Sequence, residues 1–166
     1  MTNKELVLEV LNKLGIMEAE NFQEKFSEMT DTEIIDNERA IPDWSHDKDY
    51  SSSPVGTPVT DEGQVWGLIT PHNASYYEGR PSTLRALWSL KHTKNPLKAK
   101  PWVDPEGQSG MYMKDECYLD DDGHVYRSTQ DNNVYRSTQD NNVWSHTDYA
   151  SYWDDLGLLE DLKAHS

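Results

Sequence analysis

The chain has little of what a secreted, membrane-bound or nucleic-acid-binding protein commonly carries. Cys117 is the only cysteine among 166 residues, which excludes an intrachain disulfide and a cysteine-based zinc site. Acidic residues outnumber Lys and Arg by 30 to 15, and a net charge of −15 disfavours contact with phosphate backbones. No apolar run approaches the about 18 residues of a membrane span, and no hydrophobic signal core opens the chain. We therefore expect no membrane or nucleic-acid partner, synthesis in a reducing cytoplasm, and Cys117 as a small buried hydrophobe.

Motifs of catalysis and metal binding are missing as well. The sequence has no nucleophile elbow, Walker loop or paired histidines, and no two carboxylates stand out for glycoside hydrolysis. Asp120–Gly123 lacks the alternating acidic positions of a calcium loop, and Thr129 stands where that loop has Glu. We predict a hairpin turn there, with Gly123 at positive φ. The sequence thus predicts a non-enzymatic protein with neither metal nor cofactor.

Aromatic residues are abundant, with six Trp and nine Tyr, and they surround a tandem duplication. The phrase Val-Tyr-Arg-Ser-Thr-Gln-Asp-Asn-Asn occupies 125–133 and again 134–142. A catalytic site held to about 0.5 Å would not survive such a shift, whereas strands and hairpins tolerate it. It is either an extension of a hairpin or a recent duplication of sequence. Both interpretations favour an aromatic-rich β module that binds or builds.

A weaker internal repeat spans the region after Asp43. The spacing from Trp44 to Val59 equals the spacing from Trp102 to Cys117. The strands predicted around Val59 and Cys117 are each followed by a Gly turn and a second strand with an aromatic residue, at Gly63–Trp66 and Gly123–Tyr126. Each unit closes on a Trp, at positions 88 and 153. This shared order of elements predicts two copies of one supersecondary unit, with Trp88, Trp102 and Trp153 in their cores.

The first forty residues have helical periodicity. Thr2 with Glu5, and Thr30 with Glu33, have the spacing of a capping box, and apolar stripes run through 6–14, 19–29 and Ile34–Ile35. Each stripe is too short to be stable alone, so the helices pack either on one another or on a larger assembly.

Two further segments separate the units. Residues 81–91 have the spacing of a short helix, with Leu84, Leu87 and Trp88 on one side. The Lys- and Pro-rich stretch 94–101 either pairs with the acidic second unit or is a solvated connector, and we expect the connector because exposed ion pairs contribute little.

The amino-acid sequence of residues 41–156 resembles that of a known family. The order of Trp102, Tyr112, Cys117, Gly123–Tyr126, Asp131–Asn133 and Trp153 resembles that of the small chitin-binding-type carbohydrate-binding modules attached to chitinases. The closer resemblance is to their relatives in tailed phages and prophages, which have segments similar to Lys98–Trp102, Ser109–Cys117 and Pro81–Thr93. The chain departs from that pattern in its extra nonapeptide. It also has Ser145-His146-Thr147 where the family usually carries a proline after the aromatic at 144.

Sugar binding needs a flat aromatic face with amides and hydroxyls nearby. The candidate residues that supply both are Trp144, Tyr135, Tyr126, Asn133, Asn142 and Trp66. The alternative is that the aromatic rings among them fill a small core, and for Trp144 the two interpretations stand even.

The predicted fold class is α+β: a small N-terminal helical segment followed by two small, mostly antiparallel β modules of carbohydrate-binding type. The expected regions are a helical anchoring segment at 1–41, a first module at 42–93, a linker at 94–101, a second module at 102–157 and a C-terminal tail at 158–166.

The resemblance implies a virion structural protein of a tailed phage, on the tail or as a capsid-decorating head fibre. It would be released by lysis, form homo-oligomers, bind other virion proteins through 1–41 and attach weakly to host polysaccharide. A purely structural adaptor without sugar binding, or a free phage protein of the lysis cassette or host modification, are the alternatives.

Overall fold

The computed structural model describes residues 25–106, 109–136 and 152–166, and the predicted α+β class is confirmed. Two short α-helices, seven strands and four 3-10 turns make up the described parts. The helices are α1 (Asp31–Asp36) and α2 (Leu159–Ala164). The strands are β1 (Pro58–Asp61), β2 (Gln64–Leu68), β3 (Trp88–Leu90), β4 (Lys100–Pro101), β5 (Cys117–Leu119), β6 (His124–Ser128) and β7 (Trp153–Leu158).

Helix α1 begins as its capping spacing predicts. The Thr30 side chain accepts a hydrogen bond from the Glu33 backbone N–H at 3.2 Å, which satisfies one of the free donors of the first turn. Ile34 and Ile35 are then buried on one face. The helix predicted from Thr2 lies outside the described residues, and of the second stripe only a 3-10 turn at Phe26–Glu28 is described.

The first sheet is a three-stranded antiparallel meander, β1-β2-β3. Asp61 pairs with Gln64, so Glu62 and Gly63 form a two-residue loop, with φ of 53° and 75°. Positive φ at both positions is the geometry of a type I′ turn, whose twist matches that of the strands it joins. Strand β2 is buried along its whole length. Val65 packs against the segment 26–41, while Trp66 and Leu68 enter the core of the sheet.

The second sheet has four strands in the order β4-β5-β6-β7, with β4 parallel to β5 and the other pairs antiparallel. The predicted turn between β5 and β6 is present. Asp120 accepts from the Gly123 N–H at 2.9 Å and donates to the His124 carbonyl at 2.9 Å, and Gly123 has φ of 85°. This is a turn closed by a glycine in the left-handed region, as expected for a three-residue hairpin loop.

The internal repeat is visible in the backbone. The residue before Trp44 pairs parallel with β1, as β4 before Trp102 pairs parallel with β5. Each second strand is followed by a long segment, and each third strand begins at the closing Trp, position 88 or 153. A tyrosine before the hairpin also reaches the long segment in both units: the backbone N–H of Tyr50 donates to the carbonyl of residue 72, and that of Tyr112 to the carbonyl of residue 133.

Each module has a cluster of aromatic residues in its core. In the first, Tyr50 meets Trp88 edge-on with ring centroids 5.0 Å apart, and in the second Tyr112 meets Trp153 at 5.4 Å. Trp88 and Trp153 are buried as predicted, and half-buried Trp102 stacks on Tyr112 at 5.1 Å. Large edge-to-face aromatics can fill modules too small for an aliphatic core. Cys117 is buried, which confirms its predicted place.

The prediction of a helix over 81–91 is wrong. Residues 81–87 form consecutive turns and Trp88 opens β3, which pairs with β2 through Trp66–Leu90 and Leu68–Trp88. The spacing of the apolar residues is helical, yet pairing with β2 buries Trp88 and Leu90 on one strand face, which a helix could not do.

The expectation that 94–101 is a solvated connector is also wrong, and the stretch does not pair with the acidic residues of the second unit in the described contacts. The Lys94 N–H donates to Thr32 Oγ1 at 2.9 Å, and the Lys100 ammonium lies 2.5 Å from a carboxylate oxygen of Glu38. Lys100 is also the first residue of β4. The stretch therefore binds the segment that contains α1, and its end belongs to the second sheet.

The two units contact each other directly. The Thr93 carbonyl accepts from the Cys117 N–H at 2.8 Å, and the Gln64 side chain donates to the Pro101 carbonyl at 2.9 Å. His92 stacks on Tyr112 with centroids 3.6 Å apart, and its Nε2 donates to the Gly110 carbonyl at 3.0 Å.

Candidate ligand-binding loops

Three of the six sequence-predicted sugar contacts are buried. Trp66 is 1 % exposed, Tyr126 is 3 % exposed, and Asn133 is fully buried. Asn133 holds the loop after β6, because its side chain donates to the carbonyl of residue 152 at 2.9 Å. A ring with no open face cannot receive a pyranose, so burial argues against these three residues as direct contacts.

Tyr135 is the predicted residue that the structure places at the surface, with 42 % of its side chain exposed. Its ring lies 6.1 Å from that of Tyr152, and its carbonyl accepts a hydrogen bond from the Trp153 indole. Trp144 and Asn142 lie outside the described residues.

The two copies of the nonapeptide differ in structure where both are described. In the first copy Val125 and Tyr126 are buried in strand β6, whereas in the second Val134 and Tyr135 are exposed and lie outside any strand. Identical residues thus have different environments, because the pairing positions beside β5 are already filled. Over 134–136 the second copy does not extend the sheet.

A tyrosine pair that the sequence analysis did not single out lies in the segment between β2 and β3. Tyr76 is 83 % exposed and Tyr77 is 41 % exposed. The 3-10 turn Ala74–Tyr76 carries them, and the Asn73 side chain caps that turn by accepting from the Ser75 N–H at 3.1 Å. The signal that could have found them is their place in the repeat, because Trp144 follows β6 in the sequence as this pair follows β2.

Contacts with the rest of the first module anchor the tyrosine pair. Ala74 is buried and donates from its N–H to the Lys48 carbonyl at 3.1 Å. The Tyr77 ring meets His72 edge-on at 5.3 Å, and its carbonyl lies 3.1 Å from Nε2 of His46. Tyr77 is thereby fixed against the module, while Tyr76 projects into solvent.

An open depression of about 500 Å³ lies next to the β1–β2 hairpin. Its lining residues are Glu38, Asp43, Trp44, Thr60, Asp61, Glu62 and Gly63. Two cations bind the carboxylates of this lining: Lys100 binds Glu38, and Arg80 binds both Asp61 and Glu62. Asp43 accepts only from the neutral Thr60 hydroxyl at 2.7 Å, so the lining keeps a net negative charge. Its carboxylate oxygens are acceptors for hydroxyl groups.

Arg80 connects the tyrosine loop to this depression. Its guanidinium donates through Nε and one terminal nitrogen to the two Asp61 oxygens, at 2.9 and 3.0 Å, and lies 5.7 Å from the centroid of the Trp44 ring. The hydrogen bonds to Asp61 raise the pKa of Arg80. The loop thus carries exposed phenol rings and, through Arg80, contacts a depression lined by hydrogen-bond acceptors. These two kinds of group can bind the C–H faces and the hydroxyl groups of a carbohydrate.

In the described ranges, no cluster of His, Cys, Asp or Glu has the arrangement of a metal site. No helix among the described residues is long and apolar enough to cross a bilayer. Comparison of the chain with protein-family models and with curated proteins gives no match.

Proposed function

We propose that this chain is a non-enzymatic structural protein of a tailed-phage virion, on the tail or as a capsid-decorating fibre. Its two aromatic modules attach weakly and multivalently to host-surface glycans. The observation that carries the glycan-binding part is Tyr76, whose ring is 83 % exposed on a turn fixed by buried Ala74. A phenol ring presented to solvent on an ordered loop supplies the flat face that a pyranose needs.

Weak sites fit a multivalent design. One or two exposed tyrosines give a modest interaction, since a ring contact is worth about 0.5–1.5 kcal/mol beyond its buried area. Several linked sites on one particle raise the overall affinity through effective concentration, so the proposal includes a homo-oligomer on the virion. The glycan class is a neutral polysaccharide, because the net negative charge of the carboxylates beside Trp44 would repel an acidic one.

The experiment is a binding assay with colloidal chitin and purified bacterial cell walls. Tyr76→Ala is compared with Val55→Ala, a matched control that truncates a residue 65 % exposed elsewhere on the first module. We expect Tyr76→Ala to lower retention at least roughly threefold, from the loss of one ring contact. Trp144→Ala tests the second module, and loss of binding by tenfold or more is the prediction from sequence.

Retention of Tyr76→Ala equal to that of the Val55→Ala control would remove Tyr76 from the site. If neither the native chain nor any variant is retained on either polymer, the glycan-binding part of the proposal fails.

A second candidate is a structural adaptor whose modules contact other virion proteins and bind no sugar. The burial of Trp66, Tyr126 and Asn133 favours it, because half of the residues expected at a sugar surface instead build the cores. In both interpretations the partner contact is proposed for the N-terminal segment. Apolar side chains of residues 26–41 pack on Val65 of the first module, which leaves the remaining residues of 1–41 for the proposed contact.

Indole fluorescence separates the candidates. The adaptor predicts a signal that no polysaccharide changes, whereas the glycan-binding candidate predicts a change on addition of the polysaccharide that it binds. Co-purification of the full chain with another virion protein is expected of both. Finding the chain in purified virions by mass spectrometry supports both candidates over a free phage protein that acts in the host.

A further inference from the structure

Each module joins its hairpin to its long loop by a fork of charged hydrogen bonds. In the first module, Arg80 donates to both oxygens of Asp61 and a further guanidinium nitrogen lies 3.1 Å from a Glu62 oxygen. The Asp61 side chain is 8 % exposed, whereas that of Arg80 is about half exposed. A buried carboxylate that accepts two parallel N–H bonds has a fixed geometry, which a single point charge would not give.

The second module has a related fork, made by an arginine of the duplicated nonapeptide, in which two guanidinium nitrogens bind one oxygen of Asp120. Nε of Arg136 donates to Asp120 at 2.6 Å, and a terminal nitrogen binds Asp120 and also Asp121, the latter at 2.8 Å. The Asp120 side chain is buried to the same degree as Asp61, while its neighbour is open to solvent.

The two forks occupy corresponding places in the repeat. The buried aspartate lies at the end of the first strand of each sheet hairpin: Asp61 is the last residue of β1, and Asp120 directly follows β5. A second acidic residue comes next in the turn, and the arginine lies in the segment between the second and third strands. Arg127, which stands in the first nonapeptide where Arg136 stands in the second, lies in strand β6.

We propose that Arg80 and Arg136 are positioning residues, each of which holds the segment after the second strand against its hairpin. For Arg80 the consequence is that Tyr76 and Tyr77 are presented to a neutral polysaccharide in one orientation. This inference rests on the proposed function for its ligand, but the forks themselves can be tested without any ligand.

The duplication then has a physical role in the second module. A chain with one nonapeptide keeps a Val-Tyr-Arg run for strand β6 but has no second arginine to bind Asp120 and Asp121. The added copy supplies that arginine, so it completes in the second module the fork that Arg80 makes in the first. We assign this role to the added copy, in place of an extension of the hairpin, because its described residues 134–136 lie outside the sheet.

The test measures amide hydrogen exchange at residues 74–79 in the native chain and in Arg80→Gln. Arg39→Gln is the matched control, because Arg39 is an exposed arginine on a different segment. We expect Arg80→Gln to raise exchange in the loop roughly fivefold, as for the loss of a strong surface pair, and to leave β1 and β2 unchanged. Asp61→Asn should act alike, and the double variant should add little to either.

Affinity for chitohexaose is measured on the same variants. We expect Arg80→Gln to weaken binding by a similar factor while lowering the melting temperature by only about 2–4 °C, and Arg80→Lys to restore only part of the binding, since Lys lacks the fork. If Arg80 had only a structural role, Arg80→Gln would lower the melting temperature and raise amide exchange in the loop and in strands β1 and β2 alike.

Loop exchange that is the same in Arg80→Gln and Arg39→Gln overturns the inference, whatever the glycan result. A native chain that binds no chitohexaose while Arg80→Gln loosens the loop instead refutes the proposed ligand and leaves the positioning role supported.

Discussion

His92 lies at the contact between the two modules, and its burial predicts a specific dependence of stability on pH. The ring is 3.6 Å from that of Tyr112 and donates to the Gly110 carbonyl. Burial lowers the pKa of His92 from 6.5 to about 4, because a charged imidazolium would lose its hydration there. The folded chain therefore binds fewer protons at His92 than the unfolded chain does between these two values.

The sign and size follow by linkage. Stability from neutral His92 is fully present above pH 6.5 and is lost as the pH falls towards 4. The difference between the pKa values of His92 in the unfolded and folded chain corresponds to roughly 3 kcal/mol in the free energy of unfolding. Of this contribution, roughly 2–3 kcal/mol is lost by pH 4.5. Glu116 acts in the opposite direction: burial raises its pKa to about 6, so its contribution is present below pH 4.5 and is lost as the pH rises through 6.

The assay is urea unfolding followed by tryptophan fluorescence at pH 7.5 and 4.5, for the native chain, His92→Gln and Glu116→Gln. Gln at position 92 retains a donor for Gly110 but does not titrate, so the native chain should lose roughly 2–3 kcal/mol more than His92→Gln on acidification. Glu116→Gln should lose more than the native chain, because its opposing contribution is gone. Identical pH dependence in the native chain and His92→Gln would refute the burial argument.

Four further predictions concern stability, the turn, the cysteine and the duplication. Trp88→Ala should destabilise the chain by about 3–5 kcal/mol in urea unfolding, because it empties the first core, and a loss under about 1 kcal/mol would contradict that place. Gly63→Val should cost more than about 1 kcal/mol through strain at φ 75°, and an unchanged midpoint would exclude the type I′ turn. Cys117, whose thiol pKa is raised by burial, should react with iodoacetamide only on unfolding; rapid reaction of the native chain would contradict its burial. Deletion of 134–142 should leave the strands folded but raise amide exchange in the hairpin after β5, whereas unchanged exchange there would argue against the role of Arg136.

The repeat could be predicted from the sequence because its signals are local. Glycine at 63 and 123 marks turns that need positive φ, and a Trp at the start of each third strand is large enough to dominate a small core. The capping pair Thr30 and Glu33 is likewise a short-range interaction, and it forms as expected.

The helix predicted over 81–91 failed for a tertiary reason. The spacing of Leu84, Leu87 and Trp88 fits both a helix and two turns followed by a strand. Which of these structures forms depends on the partner element that the segment packs against. That partner is β2, which is covered on both faces: Val65 packs on the N-terminal segment and Trp66 on the aromatic core. A strand buried on both faces does not show the alternation from which exposure is inferred.

The same effect misplaced the sugar contacts. Trp66 and Tyr126 follow their glycine turns in a polar setting, yet both point into a core formed by residues distant in sequence. Tyr76 has no periodic signal, and its exposure depends on the buried Ala74 and the capped turn beneath it. The Arg80–Asp61 fork joins residues of two separate loops, which no local pattern could reveal.

The most direct measurement of the central claim is a titration of the isotope-labelled chain with chitohexaose, followed by amide chemical shifts. We predict saturable shifts that begin at residues 74–80 and extend to the hairpin at 61–63, and their loss in Tyr76→Ala but not in Val55→Ala. Shifts confined to other surfaces, or a spectrum unchanged by this and by soluble cell-wall fragments, would contradict it.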